Sequence, residues 1–255
     1  IFSRPLEEAL KENVERGEQA LLFLNRRGFS SFSLCRDCGH VHQCPNCSVS
    51  LNYHLTDKAF HCHYCDYSLA GLERCPKCSS TRVHLFGIGT QRLEEEIKKK
   101  FSGAAVGRMD RDTMTRSSAY RKILGQVRRG EINLLIGTQM ITKGHDLPRV
   151  TLVGVLAADL SLNIPDFRAG ERTCQLLTQV SGRAGRGALP GKVIIQTYNP
   201  RHYSIQTALS QAFVPFYECE LKFRKEMDYP PFTRLVNFRF EGNSESRVKD
   251  QAEEL

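Results

Sequence analysis

Eight of the ten cysteines in this 255-residue chain fall into four CxxC pairs. The pairs are Cys35/Cys38, Cys44/Cys47, Cys62/Cys65 and Cys75/Cys78, separated by five, fourteen and nine residues. A CxxC turn bends two thiolates toward one ion, and a closed structural zinc site takes two such pairs. Eight ligands therefore amount to two complete tetrahedral sites, with no coordination position left open for catalysis. Pro and Gly beside the sulfurs, as in Cys-Pro-Asn-Cys at 44–47 and Cys-Pro-Lys-Cys at 75–78, suit tight turns whose amides point at thiolate.

Other chemistries fit the cluster less well. Disulfides need an oxidising compartment, and the chain opens with no apolar secretory stretch. Thioredoxin-type exchange uses one CxxC at a helix start, not four in a row. Iron–sulfur clusters take four cysteines at other spacings. His40, His42, His54, His61 and His63 stand nearby, but the cysteine count is already complete, so they read as exposed or supporting histidines. Residues 35–80 are also too few and too polar to hold a core unaided. Spacing leaves the pairing open. Adjacent pairing joins 35/38 to 44/47, whereas nested pairing joins 35/38 to 75/78 around an inner site of 44/47 with 62/65. A nested outer zinc would tie the stalk shut where the chain enters at Leu34 and leaves near Thr81.

Outside the cysteines the chain reads as an α/β body. An amphipathic helix is expected over 3–16, carrying Leu6, Leu10 and Val14 on one face and ending at Gly17. Buried or extended runs follow at 20–24 and 29–34, and beyond the cysteines at 83–86, 104–109, 132–136, 150–157 and 192–197. Helices are expected through Leu93, Ile97 and Phe101, then over 117–128 and 171–180. Strands alternating with helices imply a mainly parallel sheet covered on both faces, with ligands at the loops beyond the carboxyl ends of the strands. The formal net charge is +8. Eight thiolates with two divalent cations would lower it to about +4, leaving the positive charge on runs such as Arg26-Arg27, Lys98-Lys99-Lys100 and Arg128-Arg129. That balance permits nucleic-acid binding without establishing it. No span approaches the apolar length of a membrane helix. The expectation is a cytoplasmic protein with no membrane partner, kept in a reducing compartment.

Two segments carry unusual residues. One is Gly137-Thr138-Gln139-Met140-Ile141-Thr142-Lys143-Gly144-His145-Asp146; the other is Gln179-Val180-Ser181-Gly182-Arg183-Ala184-Gly185-Arg186-Gly187. Both are expected at strand-end loops. Arg183 and Arg186 are three apart, so one helical turn would aim both guanidinium groups at one point. Such a pair matches the charge of a transferring phosphoryl group, and the glycines allow close backbone approach to an anion.

In this order the segments resemble motifs V and VI of the second RecA-like lobe of superfamily 2 helicases. The eight-cysteine insertion after Leu24-Asn25-Arg26-Arg27-Gly28 narrows the resemblance to the PriA family of bacterial primosomal, replication-restart helicases. Asp110-Arg111-Asp112-Thr113, Pro165-Asp166-Phe167-Arg168-Ala169 and Tyr229-Pro230-Pro231-Phe232 are similar to that family too. The resemblance covers nearly the whole chain. It implies a RecA-like lobe over 1–34 and 81–228, a two-zinc insertion over 35–80, and the start of a carboxyl-terminal α+β module over 229–255.

The resemblance also implies nested zinc pairing, with Cys35, Cys38, Cys75 and Cys78 outside and Cys44, Cys47, Cys62 and Cys65 inside. Arg183 and Arg186 would be arginine fingers, and Gln179 would orient the γ-phosphate or the attacking water. Gly144 and Asp146 would couple the nucleotide to DNA grip. Thr138, Gln139 and Lys143 would meet DNA. ATP and magnesium, forked or single-stranded DNA, the primosome and single-stranded-DNA-binding proteins are the implied ligands and partners.

Nothing in the chain fits the Gly-rich P-loop ending in Lys-Ser/Thr, and no Asp-Glu-x-His-like magnesium strand occurs. Both belong to a first lobe. The expectation is therefore a carboxyl-side fragment of a 3′-to-5′ helicase, inactive alone, with a strand at 235–240 and a helix at 245–255 opening the next module. Against this stand a non-enzymatic zinc-ribbon binding module and a redox or metal-buffering protein. A binding module has no need of the arginine pair, and complete four-cysteine sites leave no thiolate spare.

Overall fold

The computed structural model describes residues 1–24, 32–54, 58–71, 74–86, 90–110, 113–114, 117–142, 147–164, 166–187, 189–236, 238, 240, 242 and 244–254. They form two compact units, Ile1–Glu220 and Leu221–Leu255. The chain opens with helix α1 (Arg4–Glu15) and strand β1 (Gln19–Leu24), then enters the cysteine module through β2 (Phe32–Cys35). The module holds β3 (Asn52–His54), β4 (Ala59–His61) and β5 (Ser68–Ala70), and the chain leaves it through β6 (Val83–Phe86). Next come α2 (Thr90–Lys100), β7 (Val106–Met109), α3 (Ser117–Arg129), β8 (Leu134–Gly137) and β9 (Val150–Leu156). The short α4 (Asp159–Leu162), α5 (Ala169–Ser181), β10 (Lys192–Ile195), α6 (Tyr203–Leu209), α7 (Phe213–Glu226) and α8 (Glu245–Glu253) complete the order.

Five parallel strands build one sheet in the order β10-β9-β1-β8-β7, with β1 in the centre. Every residue of β1 and β9 is buried, as continuous apolar strands covered on both faces should be. Alternation divides the side chains between two cores. Leu22, Leu24, Leu134, Ile136 and Leu152 pack with Leu6 and Leu10 of α1 and Leu93 and Ile97 of α2. Leu21, Phe23, Leu135, Val153 and Val155 pack with Val127 of α3, Leu177 and Val180 of α5, and Ile205 of α6. At Gly154 a Cβ would come within 2.6 Å of Leu22 and 2.8 Å of Leu6, so α1 lies close to the sheet because that side chain is missing.

The expected helices and strands of the body occur with ends shifted by one or two residues, and the run expected at 29–34 is described as β2 from Phe32, residues 29–31 lying outside the described residues. The helices α4, α6 and α7 were not expected. They are packed into place rather than announced by a long apolar period, and α6 and α7 contribute Ile205, Ala208 and Phe216 to the core. The strand expected at 235–240 is not formed among the described residues, and Leu235, Val236 and Phe238 are exposed. A strand needs a neighbour to accept its backbone hydrogen bonds, and no strand is formed among the described residues of the second unit. That unit is tied at its start by Arg224 Nη1, which donates to the Pro230 carbonyl at 3.3 Å.

Candidate metal centre and strand-end segments

The four CxxC turns share one backbone pattern. In each, the first cysteine's amide donates five residues ahead, to His40, Val49, Tyr67 and Ser80 carbonyls at 2.8–2.9 Å. The amide four residues ahead donates back to that cysteine's carbonyl. The position that closes the turn is left-handed every time: Gly39 at φ +71°, Ser48 at 52°, Asp66 at 58° and Ser79 at 58°. Residues that tolerate that region, Gly and short polar side chains, therefore recur one place after each CxxC. The first sulfur of each pair is buried and the second is half-buried or exposed.

The sulfurs gather in two groups, Cys35, Cys38, Cys75 and Cys78, and Cys44, Cys47, Cys62 and Cys65, each with all members within 4.8 Å of one another. Across the pairs the sulfurs stand 3.6 Å apart for Cys35–Cys78 and Cys38–Cys75, and 3.5 Å for Cys44–Cys65. A disulfide would bring sulfurs to about 2.05 Å. A tetrahedron with metal–sulfur bonds of about 2.3 Å has edges of about 3.8 Å, so both groups are sized for one zinc each. Their electrostatics agree. Burial pushes the Cys35 thiol up, but the Cys38 and Asp37 amides pull it down to about 7. The Tyr67 amide leads in holding Cys65 at about 6. Burial pushes Cys38, Cys44 and Cys47 up. Cys78 rises to about 12: the Ser80 amide favours its thiolate, but crowding by Cys38 and burial prevail. Four sulfurs this close cannot all ionise alone, and a divalent cation would remove that obstacle.

The outer group closes the stalk. Cys35 ends β2 opposite Val83 of antiparallel β6, and the Arg36 amide donates to the Arg82 carbonyl at 3.0 Å. The inner group caps the β3-β4-β5 sheet over Val49, Leu51 and Phe60. Of the five histidines, His42 takes the supporting rather than the exposed role. It is buried, with Nδ1 2.6 Å from Ser33 Oγ of the stalk and its ring stacked on Phe60 at 5.7 Å.

The module is also seated on the sheet body, beyond the carboxyl ends of β9 and β10. Ser50 Oγ donates to Asn163 Oδ1 at 3.1 Å, and the Phe167 amide donates to the Tyr64 hydroxyl at 3.4 Å. A Cβ at Gly39 would come within 2.8 Å of the Tyr198 carbonyl oxygen. Apart from Phe167, which lies in the family-like stretch at 165–169, the sequence pattern did not single out these partners. A carboxylate, Asp159, placed three residues after the apolar strand β9 was the one available sign.

Thr138 and Gln139 lie just past the carboxyl end of β8, where residues Gln139–Thr142 make a 3-10 turn. The Thr138 amide donates to the Met109 carbonyl at 3.3 Å, and Ile141 anchors the turn in the core. Lys143, Gly144 and Asp146 lie outside the described residues. The arginine segment stands at the other end of the sheet. Leu176, Leu177 and Val180 bury one side of α5, which leaves Gln179 exposed. The helix stops at Ser181, so Arg183 and Arg186 occupy a turn rather than a further helical turn. The Arg186 Nε donates to the Gly182 carbonyl at 2.8 Å, and the Gly185 amide donates to the carbonyl of Val150, where β9 begins. Gly185, at φ +71°, backs onto Gly191, where a Cβ on either would meet backbone at 2.6 Å or less. The expected place beyond the carboxyl ends is thus corrected. A crossover helix runs back along the sheet, so its last residues reach the amino end of the next strand. There Gly187 packs against Pro148, which follows Asp146 by two residues in the sequence.

Comparison with known proteins agrees with these features. Residues 44–69 match the family described as the PriA DNA helicase Cys-rich region (CRR) domain, and residues 70–188 match the helicase conserved C-terminal domain. The replication restart protein PriA of Bacillus subtilis is 53% identical over 92% of this chain and 29% of its own length. PriA of Synechocystis is 48% identical over 98% of this chain and 30% of its own length, and that of Treponema pallidum 41% over 99% and 38%. The chain therefore spans about a third of the length of these relatives.

Proposed function

The chain belongs to the PriA replication-restart family, and from that premise we propose that it is the second lobe of an ATP-driven DNA helicase acting at stalled replication forks. In this reading residues 1–34 and 81–228 form the lobe, 35–80 its two-zinc insertion and 229–255 the start of a further module. ATP, magnesium and the phosphate cradle meet the lobe from outside the chain. The observation that carries the proposal is the arginine turn, built by the Gly185–Gly191 contact at the amino end of β9 and adjoining the segment that follows Asp146.

Each role follows from charge and position. A phosphoryl group in transfer spreads negative charge over its oxygens, and Arg183 and Arg186 would meet it with planar donors. Gln179, exposed on the last turn of α5, would orient the γ-phosphate or the attacking water. Gly144 and Asp146 would relay the nucleotide's state, while Thr138, Gln139 and Lys143 would hold the DNA backbone. The zinc ions would be structural, the outer one on Cys35, Cys38, Cys75 and Cys78 and the inner one on Cys44, Cys47, Cys62 and Cys65. Movement along DNA would run 3′ to 5′, in the cytoplasm, with primosome and single-stranded-DNA-binding proteins as partners, and this chain alone would not turn over ATP.

In the full-length protein, Arg183→Ala or Arg186→Ala is expected to lower DNA-stimulated ATP hydrolysis by roughly 10³–10⁵ while ATP and DNA still bind. Lysine at either position should rescue only in part, because a point charge lacks the fork. Loss of DNA affinity with hydrolysis intact at saturating DNA would instead make the pair a generic phosphate-backbone contact.

A further inference from the structure

Asp159 is 2% exposed, yet both of its carboxylate oxygens are bonded. Oδ1 accepts from Thr197 Oγ1 at 3.0 Å and Oδ2 accepts from the Tyr198 amide at 3.0 Å. Its carbonyl accepts from Asn163 Nδ2 at 2.8 Å. A carboxyl at this depth is costly unless its oxygens are satisfied, and burial pushes Asp159 up from the ordinary carboxylate range. The fold could close this corner with an apolar side chain. The carboxylate instead ties the loop after β9 to the loop after β10.

Both loops are where the cysteine module sits. Tyr198, held by Asp159, meets Gly39, which closes the first turn of the outer metal group. Asn163, held by the Asp159 carbonyl, accepts from Ser50, two residues past the left-handed residue that closes the first turn of the inner group. One residue thus stands behind the seats of both metal groups, each through a different atom. These seats lie at the carboxyl end of the parallel sheet, the end at which Thr138 leaves β8. The arginine turn lies at the opposite end, separated by the length of α5, about 20 Å for its 13 residues.

We propose that Asp159 is a positioning residue that seats the zinc module on the carboxyl end of the sheet, so that the module and the turn beginning at Thr138 present one surface to DNA. The DNA half of this rests on the function proposed above. The seat itself does not.

The test uses the full-length, zinc-loaded protein and two variants, Asp159→Asn and Ser50→Ala. Asparagine can still accept from Thr197, but its amide nitrogen cannot accept from the Tyr198 amide. Alkylation by a maleimide in the presence of a chelator, read cysteine by cysteine by mass spectrometry, reports each site separately. Asp159→Asn should speed modification of Cys35, Cys38, Cys75 and Cys78 about tenfold, the size of one lost charge-assisted hydrogen bond, and leave the inner four unchanged. Ser50→Ala should do the reverse, by about fivefold for a neutral bond. In both, the DNA concentration giving half-maximal ATPase stimulation should rise about tenfold, with kcat at saturating DNA kept. Uniform acceleration at all eight cysteines, or none, overturns the seat. Should Asp159→Asn not fold, Thr197→Val, which removes the hydroxyl that donates to Asp159 Oδ1, decides the matter by the same outer-site pattern. Selective release with unchanged DNA demand overturns the shared surface. If the wild-type protein hydrolyses no ATP with DNA, the helicase reading falls while the alkylation pattern still judges the seat.

Discussion

In the sheet body, Leu21, Leu22 and Leu134 are buried completely by helices on both faces, and the core draws on six helices and four strands, α1, α2, α3, α5, α6, α7, β1, β7, β8 and β9. In the cysteine module the buried cluster is Cys44, Val49, Leu51, Phe60 and Cys62, with two metal ligands among its five members. The body can close over its own apolar surface, whereas a segment of this size removes too little from water to offset the entropy of ordering it. Its strands are three residues long and each CxxC turn closes on a left-handed residue. Stability therefore rests on area in one region and on coordination in the other.

Metal removal separates the two most sharply. Apparent zinc binding energies of about 10–16 kcal/mol exceed what the module's small core offers, so stripping the metal should unfold residues 35–80. Hydrogen exchange after chelation should show β1, β8 and β9 still protected, with added loss confined to the 159–168 and 197–199 loops on which the module sits. Protection lost evenly along the central strands would mean that the metal holds the whole unit together.

Single core truncations should sharpen the same contrast. Leu22→Ala opens a cavity under α1 and should lower global unfolding stability by about 2–5 kcal/mol, measured by denaturant titration, with zinc release unaltered. Phe60→Ala is expected to behave oppositely, speeding zinc release while the unfolding midpoint of the sheet barely moves. Equal effects of both variants on both readouts would erase the distinction.

The smallest effect concerns a cap within the body. His202 Nδ1 accepts from the Ser204 amide at 3.2 Å at the start of α6, a role open only to neutral imidazole. Burial lowers its pKa from the usual value, so the unfolded chain takes up a proton before the folded one does. Its contribution is complete above about pH 6.5 and declines as pH falls below that value toward the lowered folded pKa. Between pH 7.5 and 5 the loss should be about 1 kcal/mol, the scale of one helix cap. His202→Asn, which keeps an acceptor but does not titrate, should flatten that slope in unfolding measurements. An unchanged slope would assign the pH response to other groups.

The cysteine pattern by itself determined the metal class and the number of sites, because ligand type and the CxxC turn are local properties of a few adjacent residues. The apolar runs likewise announced β1, β8 and β9, since a strand buried on both faces is dominated by apolar side chains. Family resemblance, rather than spacing, pointed to the nested pairing, and only the fold brought Cys35 within 3.6 Å of Cys78. Tertiary structure alone decided three further matters. It ended α5 at Ser181 because Gly185 and Gly191 must meet at the start of β9, and so carried the arginines to the far end of the sheet from Thr138. It formed no strand among the described residues of 235–240, since a strand exists only beside a neighbour. Finally it made Asp159 a hub, since its partners come from the loop after β9 and the loop after β10, and no sequence period records which loops a sheet brings side by side.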